Sequence, residues 1–367
     1  MPVIKQPINS LSRAKGAAIL IMLTIIVLAV TSMLVTRVSI NQRQIDRTQD
    51  NALALNHAAE ALQGYAINHN IPGTLPCPDT TGDGLENPAG SSCQSQRGLL
   101  PLRTLGLNQL TDSTGARLWY AVELSYVANA VGARNSSSAP SLQYDGQLVA
   151  AVIIAPGKAL NGQQRTGLSA AGFLEGENAD ASLNKYARGL DGSNNDQLLG
   201  IFPGNYWSLI EKRVADVAGD LLVSYRTTCG EYPWAAAFGG PYTSTATLQV
   251  GSIPLTASLP YDWGAACPGG NAPVPVSWLR THWQDQLYYR MCTTLQGDCI
   301  NMVGKLMGSV NGIVVAPGQV LAGQLRPDND PADYYENENS AAPDNEFRDL
   351  DTIDHTGNYN DVSNPLN

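Results

Sequence analysis

The sequence predicts an α+β protein: a long N-terminal helix, transmembrane at first and amphipathic afterwards, followed by two tandem modules with antiparallel β-sheets. Three observations lead there. A run of twenty residues near the N-terminus, Ala17–Thr36, carries no charge. The 367-residue chain holds 35 glycines and 22 prolines, most of them beyond that run, which favours many turns and short strands over a helical bundle. Short motifs of one half recur in the other at nearly one offset.

Residues 1–16 contain Lys5, Arg13 and Lys15 and no acid. Twenty helical residues rise about 30 Å, the depth of a bilayer's hydrocarbon core, so 17–36 is expected to span a membrane. Its Ser and Thr hydroxyls can bond back to the helix's own carbonyls and do not forbid insertion. Three readings of this end compete. A cleaved secretory signal needs a shorter apolar core and an A-x-A-like site, and none stands near Thr36. An uncleaved anchor fits the length. A prepilin-like leader, 1–16, also accounts for Lys15-Gly16 lying just before the apolar run.

No glycine or proline interrupts Ala17–Gln63. After Arg37 the pattern turns amphipathic, with Ile45, Ala52, Leu55, Ala59, Leu62 and Ala66 at helical spacing. Gly64 and Ile71-Pro72-Gly73 mark the end, so the helix is expected over 17–70.

The modules follow from the repeat. Ile154-Ala155-Pro156-Gly157 returns as Val315-Ala316-Pro317-Gly318, 161 residues on. Gly162-Gln163-Gln164-Arg165 and Gly323-Gln324-Leu325-Arg326 keep that offset, as do Glu175-Gly176-Glu177-Asn178 and Glu336-Asn337-Glu338-Asn339. Asn184-Lys185-Tyr186 matches Asn345-Glu346-Phe347; Leu118-Trp119-Tyr120 matches Leu287-Tyr288-Tyr289 at a larger offset; Leu62-Gln63-Gly64-Tyr65 resembles Leu222-Val223-Ser224-Tyr225. Several matches in order argue for an internal duplication. Module one is 71–200 and module two 205–367, the second opening on an amphipathic stripe of Leu209, Ile210, Val214, Val217, Leu221 and Tyr225. The expected strands are Leu118–Val122 and Leu148–Ile154, then Leu287–Met291 and Gly312–Val315.

Charge and cysteines place the modules. The net charge of −10 gives no field that gathers nucleic acid, so no nucleic-acid partner is expected. Basic residues on the two sides of the apolar run nearly tie as orientation signals. All six cysteines lie beyond it, and an even set in a turn-rich region reads as disulfides in an oxidising compartment. The protein is therefore expected in the bacterial inner membrane as a single-pass chain, its C-terminal region periplasmic or extracellular. Six cysteines allow fifteen connectivities. The most local choice pairs Cys77 with Cys93, Cys229 with Cys267 as a counterpart, and Cys292 with Cys299.

Chemistry gets little material. There are four histidines, and no G-x-S-x-G, H-E-x-x-H or P-loop, so no enzyme is expected. Asp79-Thr80-Thr81-Gly82-Asp83-Gly84-Leu85-Glu86 resembles the start of an oxygen-donor calcium loop, with Asp79, Thr81, Asp83 and Glu86 as candidate ligands for Ca2+. The twelfth position is Gly90, so this is not a complete EF-hand, and a solvated turn is the competing reading. The acidic C-terminal stretch 326–367 reads as a solvated surface. Tyr232, Trp234, Phe238, Tyr242, Tyr261 and Trp263 gather between turns in module two. They read as cover for a small core or as a glycan- or protein-binding surface.

The basic residue, the glycine, the breaker-free apolar helix, its amphipathic extension and a Cys-containing β module together resemble type IV pilin-like proteins. Leu75-Pro76-Cys77-Pro78-Asp79, Gly98-Leu99-Leu100-Pro101 and Thr104-Leu105-Gly106-Leu107 also look like one group of bacterial pilin-like sequences. The resemblance covers 13–200 and reaches module two through the repeat. It implies cleavage after Gly16 and methylation of Ala17 by a prepilin peptidase. Its implied partners are other pilin or pseudopilin subunits and an inner-membrane assembly platform. Major pilins usually carry Glu at mature position 5, and that position here is Ile21. The tip-like K-type minor pseudopilins of type II secretion systems also lack it, so the resemblance implies a minor, tip-located subunit of a type IV pilus or pseudopilus. The second reading is a membrane-anchored extracytoplasmic adhesin or binding protein that does not join a filament.

Overall fold

The computed structural model describes residues 11–366, apart from 181, 183, 190–193, 246, 257–258, 294–298, 305–307, 337–338, 341–344 and 350–358. The chain divides into two compact units, one ending at Leu53 and the other starting at Ala54. Helix α1 (Leu11–Asn68) begins in the first and ends in the second.

In the first unit the expected membrane span is corrected. Among the described residues no helix is long and apolar enough to cross a membrane. The apolar side chains described there run from Ile19 to Val35.

The second unit is α+β. After the end of α1, module one runs through β1 (Pro88–Ala89), β2 (Ser92–Cys93), β3 (Arg97–Leu99), β4 (Trp119–Val122), β5 (Gln143–Tyr144), β6 (Gln147–Leu148) and β7 (Ala151–Ala155). The one-turn helix α2 (Gly176–Ala179), β8 (Lys185–Tyr186) and β9 (Gln197–Ile201) complete it. Helix α3 (Pro203–Cys229) opens module two, followed by β10 (Val250–Ser252), β11 (Ala266–Cys267), β12 (Gly270–Asn271), β13 (Tyr288–Met291), β14 (Ile300–Gly304), β15 (Gly308–Val310), β16 (Gly312–Ala316), β17 (Glu346–Asp349) and β18 (Val362–Leu366). Pro203 in the first turn of α3 gives up no needed hydrogen bond, and Gly230, at φ +91, closes its end.

The two copies share one plan. The main sheets run β3-β4-β7-β9 and β10-β13-β16-β18, wholly antiparallel. Trp119 faces Ile154 in one and Tyr288 faces Val315 in the other, the same register read through the repeat. The side sheets β6-β5-β8 and β15-β14-β17 match as well. Here the expectation of antiparallel sheets needs correcting, because β5–β8 and β14–β17 pair in parallel. The long excursion between them permits the crossover that a parallel pair requires. The Tyr120 hydroxyl donates to the Pro76 carbonyl at 3.1 Å, and Tyr289 does the same to Pro233 at 3.0 Å.

One core joins the copies. Ala54, Leu55, Ala58, Leu62 and Ala66 of α1 and Tyr206, Trp207, Ile210, Val214, Ala218 and Leu222 of α3 are buried in a single cluster with residues of both main sheets. The stripes are narrower and shifted from the expected ones. Ile45 is 50% exposed and Leu209 45%, and Ala52 is exposed. Arg213 of α3 donates to the carbonyls of Ile67 and, at 2.8 Å, His69, satisfying acceptors that the end of α1 leaves open. Gly219 lets α3 lie directly on β18, since a Cβ there would sit 2.6 Å from Asn364 Nδ2.

Candidate functional site

An exposed apolar stretch lies on the first unit. Ile19, Leu20, Ile21, Met22, Leu23, Ile25, Ile26, Val27, Leu28, Val30, Met33, Leu34 and Val35 are all more than half exposed. The helix handles its own polar groups: Thr24 donates to the Ile21 carbonyl at 2.8 Å and Thr31 to Val27 at 2.9 Å. What remains is an unbroken apolar surface, larger than the patches a monomer normally leaves in water. Gly16 and Ala17 lie within α1. Residues 1–10 of the expected leader are outside the described residues.

The Asp79 loop brings its four candidate ligands together in sequence but turns them to other work. Asp79 is 1% exposed. Its Oδ1 accepts from the amides of Thr81 (3.0 Å) and Gly82 (2.6 Å), and its Oδ2 from Gly84 (2.8 Å). Glu86 accepts from the Cys77 amide at 3.0 Å and the Tyr65 hydroxyl at 3.3 Å. Burial first, then Glu86, pushes the Tyr65 phenol up to about 12. Asp83 accepts from the Leu85 amide at 2.9 Å, and that bond lowers its pKa. These carboxylates fold a loop rather than converge on an ion. Among the described residues no group of three or more His, Cys, Asp or Glu is placed to hold a metal.

The cysteines form three disulfides, Cys77–Cys93, Cys229–Cys267 and Cys292–Cys299, with no free thiol. The first two each tie a segment at or after a helix end to a two-residue ribbon, but Cys93 precedes the edge strand β3 whereas Cys267 follows β10. Cys229–Cys267 is thus an analogue rather than a positional copy. The Cys77–Cys93 bridge closes a loop 16 residues long, so Cys77→Ala/Cys93→Ala is expected to cost about 3 kcal/mol. The check is a lower urea midpoint against the disulfide-bonded chain.

The Glu and Asn of the repeat build a buried acid network in each module. In module one Gln163 Nε2 donates to Glu175 Oε1 (2.5 Å), and the Asn195 amide to Glu175 Oε2 (3.1 Å). The Glu175 amide and Asn178 Nδ2 both donate to Asp196 Oδ2 at 3.0 Å. Module two repeats this with Gln324 to Glu336 (2.8 Å), Asn360 to Glu336 (3.0 Å), the Glu336 amide to Asp361 (3.0 Å) and Asn339 to Asp361 (3.2 Å). Asp196 and Asp361 are each 4% exposed. In both, Oδ1 is buried without a donor while the side chain lies in hydrogen-bond contact with its glutamate. A proton on Asp Oδ1, donated to the glutamate, explains both facts. Burial and then the neighbouring carboxylate raise Asp196 to about 8 against an opposing amide bond, and raise Asp361 well above its ordinary value.

Sequence reasoning missed the seam between the modules. The Arg134 amide donates to His282 Nδ1 at 3.2 Å, Asn135 Nδ2 to the His282 carbonyl at 2.7 Å, and Ser136 Oγ to the Pro317 carbonyl at 3.0 Å. Burial and then the Arg134 guanidinium push His282 down to about 4. Nothing in the Arg134-Asn135-Ser136 triplet announced a partner 148 residues away. The Asp half of the acid pairs did leave a trace, since Asn195-Asp196 recurs as Asn360-Asp361.

The aromatic group of module two divides. Phe238 packs edge-on against Tyr288, Tyr334 and Tyr335, and Trp263 packs against Tyr225 and donates to the Pro254 carbonyl at 2.9 Å. Tyr232 and Trp234 instead border a cavity of about 160 Å³. Comparison with family models, with curated proteins and with solved structures yields no match to this chain.

Proposed function

We propose that the protein is a non-enzymatic minor subunit of a type IV pilus or type II secretion pseudopilus, joined to its neighbours through the first part of α1. The observation that carries this is the exposed apolar face from Ile19 to Val35. Each large side chain removed from water there contributes roughly 1.5–3 kcal/mol, and helices of like subunits offer a matching surface. In this reading a prepilin peptidase removes residues 1–16 and methylates Ala17, and an inner-membrane assembly platform adds the subunit to the filament. Ile21 has no carboxylate to pair with an amine of a subunit above, which suits a tip. Three disulfides and no free thiol support modules working in an oxidising, extracytoplasmic compartment.

Mass spectrometry of the native chain tests the reading directly: a methylated Ala17 is expected, and a retained Met1 refutes it in favour of a binding protein that joins no filament. Ile25→Asp puts a charge on the face without touching the second unit. It is expected to reduce co-purification with other filament subunits at least tenfold while the melting temperature of the modules stays within about 1 °C, as surface substitutions generally allow.

A further inference from the structure

We infer that module two carries a carbohydrate site, in which the cavity beside Tyr232 and Trp234 takes one hexose ring. The inference does not rest on the filament reading. The cavity holds about 160 Å³. It lies where the last turn of α3, with Arg226, meets the Glu231–Trp234 segment, Thr293 after β13 and Asn311 before β16.

The duplication shows that the two copies differ at this corner. At the helix end, Tyr65-Ala66 aligns with Tyr225-Arg226. In the sheets, Val122 faces Ala151 as Met291 faces Gly312, so Ala150 aligns with Asn311. The backbone agrees: the Glu123 amide donates to the Ala150 carbonyl at 2.9 Å and the Cys292 amide to the Asn311 carbonyl at 2.8 Å. Ala66 and Ala150 are both 0% exposed. Module one thus closes this corner with two methyl groups, where module two has a guanidinium and an amide around an open space. Polar groups in such a place cost stability unless something bonds them.

The groups around the space are uncommitted. Among the described residues the side chains of Glu231, Thr293 and Asn311 have no hydrogen-bond partner. The Arg226 guanidinium stacks 4.9 Å from the Tyr232 ring centre and reaches its hydroxyl only at 3.4 Å. The wall is also preorganised. Tyr232 is 3% exposed, and the Pro233 carbonyl between the two aromatics is held by the Tyr289 hydroxyl. A hexose has an apolar C–H face and a rim of hydroxyls that each donate and accept. The face suits the half-buried Trp234. The rim suits a carboxylate acceptor, a guanidinium donor, and an amide and hydroxyl that do both. One cation and one anion leave no net charge for a neutral ligand to offset. A zwitterionic amino acid would engage Arg226 and Glu231 but leave Asn311 and Thr293 idle.

The test titrates the full chain with glucose, galactose, mannose and N-acetylglucosamine, and with alanine as the zwitterion, by calorimetry and saturation-transfer NMR. At least one hexose is expected to bind saturably with a Kd of about 1 mM. Asn311→Ala, which installs the residue of module one, and Trp234→Ala should each weaken it about tenfold or more. The Asn311→Ala chain should melt no lower than the parent. Absence of saturable binding below about 50 mM for all four sugars, binding of alanine alone, or unchanged hexose binding by Asn311→Ala would each overturn the inference. Lactose and cellobiose separate the sources: binding as tight as the monosaccharide assigns the site to the terminal unit of a glycan, and weaker binding to a free hexose, both supporting the site.

Discussion

Trp207→Ala is expected to destabilise the unit that starts at Ala54 by about 4 kcal/mol, in the range for deleting a buried indole. Trp207 is 0% exposed and sits where the two modules meet. Its ring lies 5.2 Å from Tyr126 of module one, 4.9 Å from Tyr206 and 5.9 Å from Trp283 of module two. Its Nε1 donates to the Tyr126 hydroxyl at 3.3 Å. Gly73, at φ +83, exists to admit the ring, since a Cβ there would lie 2.5 Å from Trp207 Cζ3. The substitution therefore opens a cavity in the shared core and leaves the Tyr126 hydroxyl only its bond to the Ser138 carbonyl. Urea unfolding followed separately by a probe in each module should show both transitions moving together. A loss below about 1 kcal/mol, or a shift of one module alone, would mean that the core is not shared energetically.

The stability supplied by the acid pairs is expected to fall as pH rises from about 4 to about 8. In the folded chain Asp196 keeps its proton up to about 8, and its ordinary value is 3.8. Between those limits the native state binds a proton that the unfolded chain has released, so each pH unit costs on the order of 1 kcal/mol per pair. The contribution is intact below the ordinary value and is lost progressively until the folded value is passed. Asp361, beside Glu336 and Asn339 and within electrostatic reach of Arg326 and Tyr335, has the same sign. So does Glu211, which burial raises to about 8. Asp196→Asn/Asp361→Asn imitates the protonated state permanently, with an amide N–H where the carboxyl proton was. His282, held down at about 4 against an ordinary 6.5, has the opposite sign below 6.5. Melting temperatures between pH 6.5 and pH 8 should decline in the parent and less steeply in the double variant, the remainder belonging to Glu211. A double variant with the parent's slope over that range would refute the shared proton. Asp196→Ala, which removes the donor and the acceptor of two bonds, should be destabilising at every pH.

Much of the second unit could be read beforehand because its signals are local. β4, β13 and β16 match the expected strands to within one residue, and β7 starts three residues later than expected, since each is a short apolar run bounded by turn residues. The paired copies were visible because Gly157 and Gly318, Arg165 and Arg326, and Glu175 and Glu336 keep one spacing. The side sheets hid a parallel pair, since strand direction is written in no local pattern. The Asp79 loop stayed open to two readings for a related reason. Asp, Thr, Asp and Gly at alternating positions serve equally to bind an ion or to cap backbone amides, and only the direction of the Asp79 carboxylate distinguishes them.

The order of residues was enough to reveal a duplication, the pairing of its neighbouring cysteines and the absence of any helix breaker between Ala17 and Gln63. Each of these depends on identity and spacing along the chain. The tertiary structure decided what the spacing leaves free: that Trp207 joins two copies into one core, that Asp196 and Asp361 turn inward beside Glu175 and Glu336, and that Arg226 and Asn311 border an open space where Ala66 and Ala150 are sealed. Those outcomes follow from how α3 packs on β16 and β18 of its own module while Trp207 reaches Tyr126 of the other. Burial, which sets the worth of a charge or a ring, is a property of that docking.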